Sequence, residues 1–284
     1  QQVFTANDIS LTISSNATLS KNQKPVVADD RSGVTVTINE GSELFTTSGD
    51  NAIVGKSSTN LTVNNSGKIY SAAAKAVSFR QGSGATLSNN SGAIIYSATN
   101  TISGNHNDTE NATITNSGTI YSTDASTNTI IFAVGSTGNS IVNNTGGEIY
   151  TEGTGATIKL GASSTLTNSG TIKTGSVSSR AINAAGSNNT ITLKDDGKII
   201  GIISSADGTT GNTLKFQHGF GQGYFYDTSG DFTLEDLDGN QVVKGSAGSV
   251  GQGGSETLDE LLGYKSLNIR KSLNRYKKSK SFLE

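Results

Sequence analysis

Two histidines are the first place to look for chemistry, because imidazole titrates near neutral pH and ligates metals. His106 and His218 are 112 positions apart, and neither sits at a metal-ligand spacing. Both read as ordinary loop or cap residues. Cysteine is absent, which excludes disulfides, thiolate metal sites and a cysteine nucleophile together. No Gly-x-Ser-x-Gly elbow with triad partners stands out. Gly55-Lys56-Ser57 has the end of a phosphate-loop motif, but the first glycine of that motif would fall at Asp50, with Gly49 one place off. Asp236-Leu237-Asp238-Gly239 resembles a calcium turn, yet its first ligand slot is Leu234 and the distal Glu is missing, so it reads as a hairpin turn. Asp29-Asp30-Arg31 is the densest acidic cluster of the amino-terminal half. Glycosidases need two carboxyls facing one bond, whereas adjacent strand residues point to opposite faces. The expected catalytic, cofactor and metal sites are therefore none.

One spacing does stand out. Phe45, Tyr70, Tyr96, Tyr121 and Tyr150 each follow an apolar residue in Leu-Phe or Ile-Tyr, at near-constant intervals. If the apolar partner points inward on a strand, the aromatic points outward. An exposed aromatic strip can hold sugars or partner proteins. Two other outcomes stand beside it: rings that only stack on one another, and an inverted register that buries them.

The elements that position this strip come from a repeat. Leu61-Thr62-Val63-Asn64-Asn65-Ser66-Gly67-Lys68-Ile69-Tyr70 returns as Leu87 to Tyr96, Ile114 to Tyr121, Ile141 to Tyr150 and Leu166 to Lys173. Divergent copies span Val36 to Phe45 and Ile191 to Ile200. Aligned on Gly41, Gly67, Gly92, Gly118, Gly146, Gly170 and Gly197, the steps are 26, 25, 26, 28, 24 and 27 residues. Each unit of about 26 residues holds three short alternating runs, such as Ala52-Ile53-Val54, Leu61-Thr62-Val63 and Lys68-Ile69-Tyr70, separated by Gly, Asn or Ser. Period-2 alternation with β-branched residues predicts strands, and the unit is too short for a crossover helix.

Three strands per unit that stack on their counterparts in the next unit make an all-β, right-handed parallel β-helix. Composition agrees: 32% hydrophobic residues, 15% charged and 35 glycines in 284 suit a narrow tube, not a thick core. Ile69, Ile95, Ile120, Ile149 and Ile172 are expected to form one internal column, with Val63, Leu87, Ile114 and Leu166 near another. The asparagines before the aligned glycines are expected to form a turn ladder, with Asp195 and Asp196 as variants of that turn. Five aromatics about 4.8 Å apart then make an external strip about 19 Å long, ended by Lys173.

The expected organisation is an N-terminal cap over 1–30, β-helix repeats over 31–214, a C-terminal cap over 215–254 and a linker helix over 255–284. Six of the 17 aromatics lie between Phe216 and Phe232, which predicts a hairpin-rich cap with its own small core. Gly245 to Gly254 reads as a flexible joint. Beyond it Leu258, Leu261, Leu262, Ile269, Leu273 and Tyr276 form a helical stripe, opened by a Thr257-to-Glu260 capping box and interrupted at Gly263. Its basic face suits solvent as well as a membrane or partner contact. The formal net charge is −2, with the basic excess confined to that tail, so the body offers no footprint for nucleic acid. No apolar stretch approaches the roughly 18 residues of a spanning helix.

Tandem Asn-Ser-Gly-x-Ile units, an aromatic-rich C-terminal cap and a basic amphipathic helix together resemble the passenger of a classical bacterial autotransporter. That resemblance implies a surface-displayed or secreted location at the Gram-negative outer membrane. It implies a partner barrel in that membrane, absent from this chain, whose pore the C-terminal helix occupies, and a cap with an autochaperone role. Known passenger activities do not carry over, since neither Gly-Asp-Ser-Gly nor Gly-Asp-Ser-Leu occurs here. The expected function is structural and interactive: adhesion, recognition or surface-lattice formation through a surface glycan, a protein ligand or self-association. The alternatives are a carbohydrate-active β-helix enzyme, either polysaccharide lyase or glycosidase, and a phage tail-fibre rod.

Overall fold

The computed structural model describes residues 2–194, 197–217 and 227–235. Within them the chain winds as an all-β, right-handed parallel solenoid of about nine turns. Each coil lays one strand in each of three sheets, as in Ile53–Val54, Thr62–Asn65 and Lys68–Ser71. The first and second sheets each have ten strands and the third has eight. Every described pairing is parallel, with register kept from coil to coil. Nine steps between ten strands give a rod about 43 Å long.

Strict alternation builds the interior. Leu44, Ile69, Ile95, Ile120, Ile149 and Ile172 stack as one fully buried column from the third sheet. Val36, Val63, Leu87, Ile114, Ile141 and Leu166 form the second sheet's column, and Val26, Ile53, Val77, Ile102, Ile130 and Ile158 the first sheet's. Each fully buried aliphatic side chain contributes about 2 kcal/mol, and these three columns form the main part of the interior.

Between the second and third sheets runs the asparagine ladder. Asn65, Asn89, Asn116 and Asn143 each donate from Nδ2 to Oδ1 of the asparagine one coil on, ending at Asn168, at 2.8 Å every time. Their second donations go to the Ile94, Thr119, Glu148 and Thr171 carbonyls, pinning the start of each third-sheet strand. All five side chains are buried. Ile38 lies under Asn65 and Leu193 over Asn168, so the polar ladder begins and ends against hydrocarbon.

The glycine alignment needs correction. Gly67 and Gly92 are not equivalent, because Lys68 pairs with Ile94 and places Ala93 above Gly67. The turn between the two sheets holds two residues at Ser66-Gly67, Ser117-Gly118 and Ser169-Gly170, but four after Ile38, Asn89 and Asn143. In the four-residue turns Gly41, Gly92 and Gly146 take positive φ of 73°, 78° and 81°. In the two-residue turns the glycine lies against carbonyls of the coil below, where a Cβ on Gly118 would strike Ala93 O and Asn90 O. From Ile38 to Thr171 long and short turns thus alternate with a period of two coils, whereas the first coil's turn, Ser14 to Ala17, is also four residues long and precedes another long one.

The same period governs two other columns. Left-handed Asp8, Asn60 and Asn111 alternate with left-handed Gly33, Gly84 and Gly138, and each Asx side chain fills the space where a Cβ of the next glycine would be. Inside, Phe79 and Phe132 alternate with Gly55 and Gly104, and a Cβ on Gly104 would meet the Phe132 ring. Asp8, Asn60 and Asn111 are separated by 52 and 51 residues.

Residues 2–27, expected as a cap, contain a complete first coil in register with the next. Of the expected C-terminal cap, Thr213–Gln217, Asp227–Ser229 and Thr233–Glu235 also continue the solenoid in parallel, and no hairpin occurs among the described residues there. Asp195, Asp196, His218, the Asp236-to-Gly239 turn, the Gly245 joint and the linker helix lie outside the described residues. Among the described residues no helix is long and apolar enough to cross a membrane.

Candidate functional site

The three outer faces differ in chemistry. The second sheet presents Thr35, Thr62, Thr86, Thr113, Ser140, Thr165 and Thr190 in one neutral hydroxyl column. The first sheet's outward residues Val54, Ser78, Ser103 and Ile131 are small or aliphatic and almost fully covered, and half-buried Lys159 follows them in register. Among the described residues the third sheet joins a column of outward rings to paired charges, while the second sheet carries one ion pair, Lys215–Glu235, near its C-terminal end.

There Phe45, Tyr70, Tyr96, Tyr121 and Tyr150 occupy one register position and stand half-buried on the outside, with Lys173 next in line. Both the external register and the end at Lys173 match the expectation. Ring centroids are 4.4, 4.9, 5.0 and 4.8 Å apart, with interplanar angles of 5–8°. The strand spacing imposes these distances. The stacking expected as one alternative is what occurs: each interior ring has both faces covered by its neighbours. A ligand therefore meets ring edges and phenolic hydroxyls, not the ring planes on which sugars usually stack. Among the described residues no protein group hydrogen-bonds those hydroxyls.

Two ion pairs bracket the column. Lys68 Nζ lies 3.4 Å from Glu43 Oε1, and 4.8 and 5.5 Å from the Tyr70 and Tyr96 ring centres. Lys173 pairs with Glu148 and sits 4.5 Å from the Tyr150 centroid. Each lysine thus has both a carboxylate and a ring quadrupole as partner. The signal was present in the sequence, two places before the aromatic, in Glu43-Leu44-Phe45, Lys68-Ile69-Tyr70 and Glu148-Ile149-Tyr150.

Burial raises the phenol pKa of Tyr70 and Tyr121, and it pushes that of Tyr150 up to about 12, with the Tyr121 ring and the Glu148 and Glu152 carboxylates adding to the effect. These hydroxyls stay protonated, as donors, throughout the physiological range. The column is a neutral donor ladder with an alternating charge at either end.

No protein-family model, curated protein or solved structure matches the chain.

The remaining candidates fall into turns. Asp29 Oδ1 accepts the Lys56 N–H at 2.9 Å, Asp30 is left-handed, and Arg31 Nε donates to Phe4 O at 3.0 Å. The Gly55-Lys56-Ser57 loop connects two strands and opens no helix. His106 Nδ1 accepts the Asp108 N–H at 3.2 Å. Among the described residues no three His, Asp or Glu side chains gather as a metal site.

Proposed function

We propose that this chain is the rod of a bacterial surface-displayed or secreted interaction protein of the autotransporter-passenger kind, working by contact and not by catalysis. The single observation behind this reading is the bracketed aromatic column. It is an ordered, half-exposed array of hydroxyl donors and charges on a rod whose other polar ladder is spent on holding the coils together. A solenoid is suited to such work, because it holds groups on a rigid line over tens of ångströms at little cost in core volume. In this reading residues 255–284 lead to an outer-membrane barrel and the described coils stand clear of the cell.

Two experiments test it. The full reading frame is expected to carry a signal peptide upstream and a barrel downstream; a frame with neither overturns the autotransporter assignment. Purified protein probed against glycan and host-protein arrays is expected to lose its contacts on joint Tyr96→Ser and Tyr121→Ser substitution while keeping its β signal. Contacts that survive in the double variant remove the column from the site.

A further inference from the structure

The charges on the third sheet have a symmetry of their own. Counted by strand from Thr18–Lys21 to Lys198–Ile200, Glu43 is on the second strand, Lys68 on the third, Glu148 on the sixth, and Lys173 on the seventh of eight. The centre of the sheet falls between Ile94–Ser97 and Thr119–Ser122. About that centre, in the column two places before the aromatics, Lys68 mirrors Glu148 and Glu43 mirrors Thr171, with Lys173 two places further along that same seventh strand. The aromatics mirror one another too, Tyr96 with Tyr121 and Tyr70 with Tyr150, while Phe45 mirrors Lys173.

We propose that this face binds a second copy of the chain, with the two rods antiparallel. A twofold axis along the strand direction, through the centre of the sheet, keeps each outward column facing its own counterpart and reverses the order of coils. Lys68 then stands opposite the partner's Glu148 and Glu148 opposite the partner's Lys68. Glu43 comes diagonally near the partner's Lys173, and Phe45 meets that same cation. The tyrosine hydroxyls at the centre meet a matching row of hydroxyls, each able to donate and to accept. A parallel arrangement loses this order of opposite charges. The threonine column of the second sheet is neutral, and the one ion pair described on that sheet, Lys215–Glu235, lies at one end with no counterpart about the centre.

The face measures about 34 by 13 Å, or roughly 440 Å² per copy, against about 800 Å² per partner in a stable complex. Association is therefore weak between free molecules and effective between arrays, where many contacts act at once. Antiparallel pairing is the geometry available to rods projecting from two opposed surfaces. This inference rests on the reading of the third sheet as the contact face and names the partner of that face.

The test uses the full chain coupled through its C-terminal end to beads of two colours. Wild-type beads are expected to cluster, and raised salt to disperse them. Lys68→Glu and Glu148→Lys, each alone, place like charges opposite and are expected to cut clustering at least about tenfold. Mixing the two single variants restores both pairs in the heterologous contact, and so does the double variant with itself; recovery to within about threefold of wild type is expected. Thr113→Ser on the neutral face leaves clustering unchanged. Circular dichroism of each variant controls for folding.

If a charge variant does not fold, the wild-type background still decides. A spin label on Lys198→Cys, unique in this cysteine-free chain, is expected to report a distance of at least about 34 Å between copies, seven strand spacings. A short distance shows parallel packing and overturns the proposal, as do single variants that cluster like wild type or a mixture that fails to recover. Wild-type beads that never cluster, while the same protein binds an arrayed glycan or protein through Tyr96 and Tyr121, overturn self-pairing and leave the contact-face reading standing.

Discussion

Two ladders climb the same rod with the same spacing and opposite fates. The asparagine ladder, Asn65 to Asn168, lies inside and uses its amides on neighbours above, below and in its own turn. The aromatic ladder, Phe45 to Tyr150, lies outside and covers its ring faces while its hydroxyls remain open to whatever approaches. The first ladder stabilises the stack by its saturation. The second keeps its hydroxyl edge unused, because the stack uses only the ring faces of each side chain.

Breaking the inner ladder is expected to have the largest effect. Asn116→Ala takes from Asn89 Nδ2 its shortest acceptor and from Asn143 Oδ1 its amide donor in the interior, and costs about 3 kcal/mol in chemical denaturation. Asn168→Leu, at the end where Leu193 already follows, takes a partner from one neighbour instead of two and is expected to cost about half as much. Equal losses at the two positions would show that the amides act singly and not as a ladder.

Next comes the turn that carries the inner ladder. Gly118→Ala drives a methyl into the carbonyls of the coil below and is expected to cost about 2 kcal/mol or more, since the backbone must shift. Gly146→Ala meets no neighbour and bears only the strain of its positive φ, about 1 kcal/mol. Thermal denaturation of the pair reads the difference, and a reversed order would refute the alternation of turn lengths.

The outer ladder responds less. Tyr121→Ser removes two stacking contacts from a half-exposed site and is expected to lower stability by at most about 1 kcal/mol. Comparison with Asn116→Ala in the same coil sharpens the contrast between the ladders. A loss as large as that of Asn116 would make the column structural.

Alkaline titration gives the smallest effect. The Tyr150 phenol holds its proton to about 12 in the folded protein but to 10.0 when unfolded. Its contribution is complete below pH 10.0 and is lost as pH rises toward about 12, because the unfolded chain ionises first. Absorbance of tyrosinate is expected to show a late component that Tyr150→Phe removes.

The parts of this architecture readable from sequence are those with a local signature. Alternation in Lys68-Ile69-Tyr70 and its copies assigns strand, inward face and outward face at once, so the isoleucine and aromatic columns follow from one repeat. Register between coils is less legible. Gly67 and Gly92 look alike in sequence, but one lies against carbonyls of the coil below and the other turns with positive φ, a distinction that depends on the neighbouring coil. The ion pairs beside the aromatics were visible as residue types. Their meaning depends on which strand each occupies relative to the middle of the sheet, and that order emerges only when the coils are stacked.

The alternation of turn lengths, Asx with glycine, and phenylalanine with glycine also constrains how such a molecule can change size. Between Ile38 and Thr171, loss of one long-turn coil brings two tight corners into immediate succession, and loss of the coil that carries Gly104 brings the Phe79 and Phe132 rings together. A doublet leaves every neighbour as it was. Within that stretch gene duplication can therefore extend the rod in increments of about 52 residues, each adding about 9.6 Å of reach.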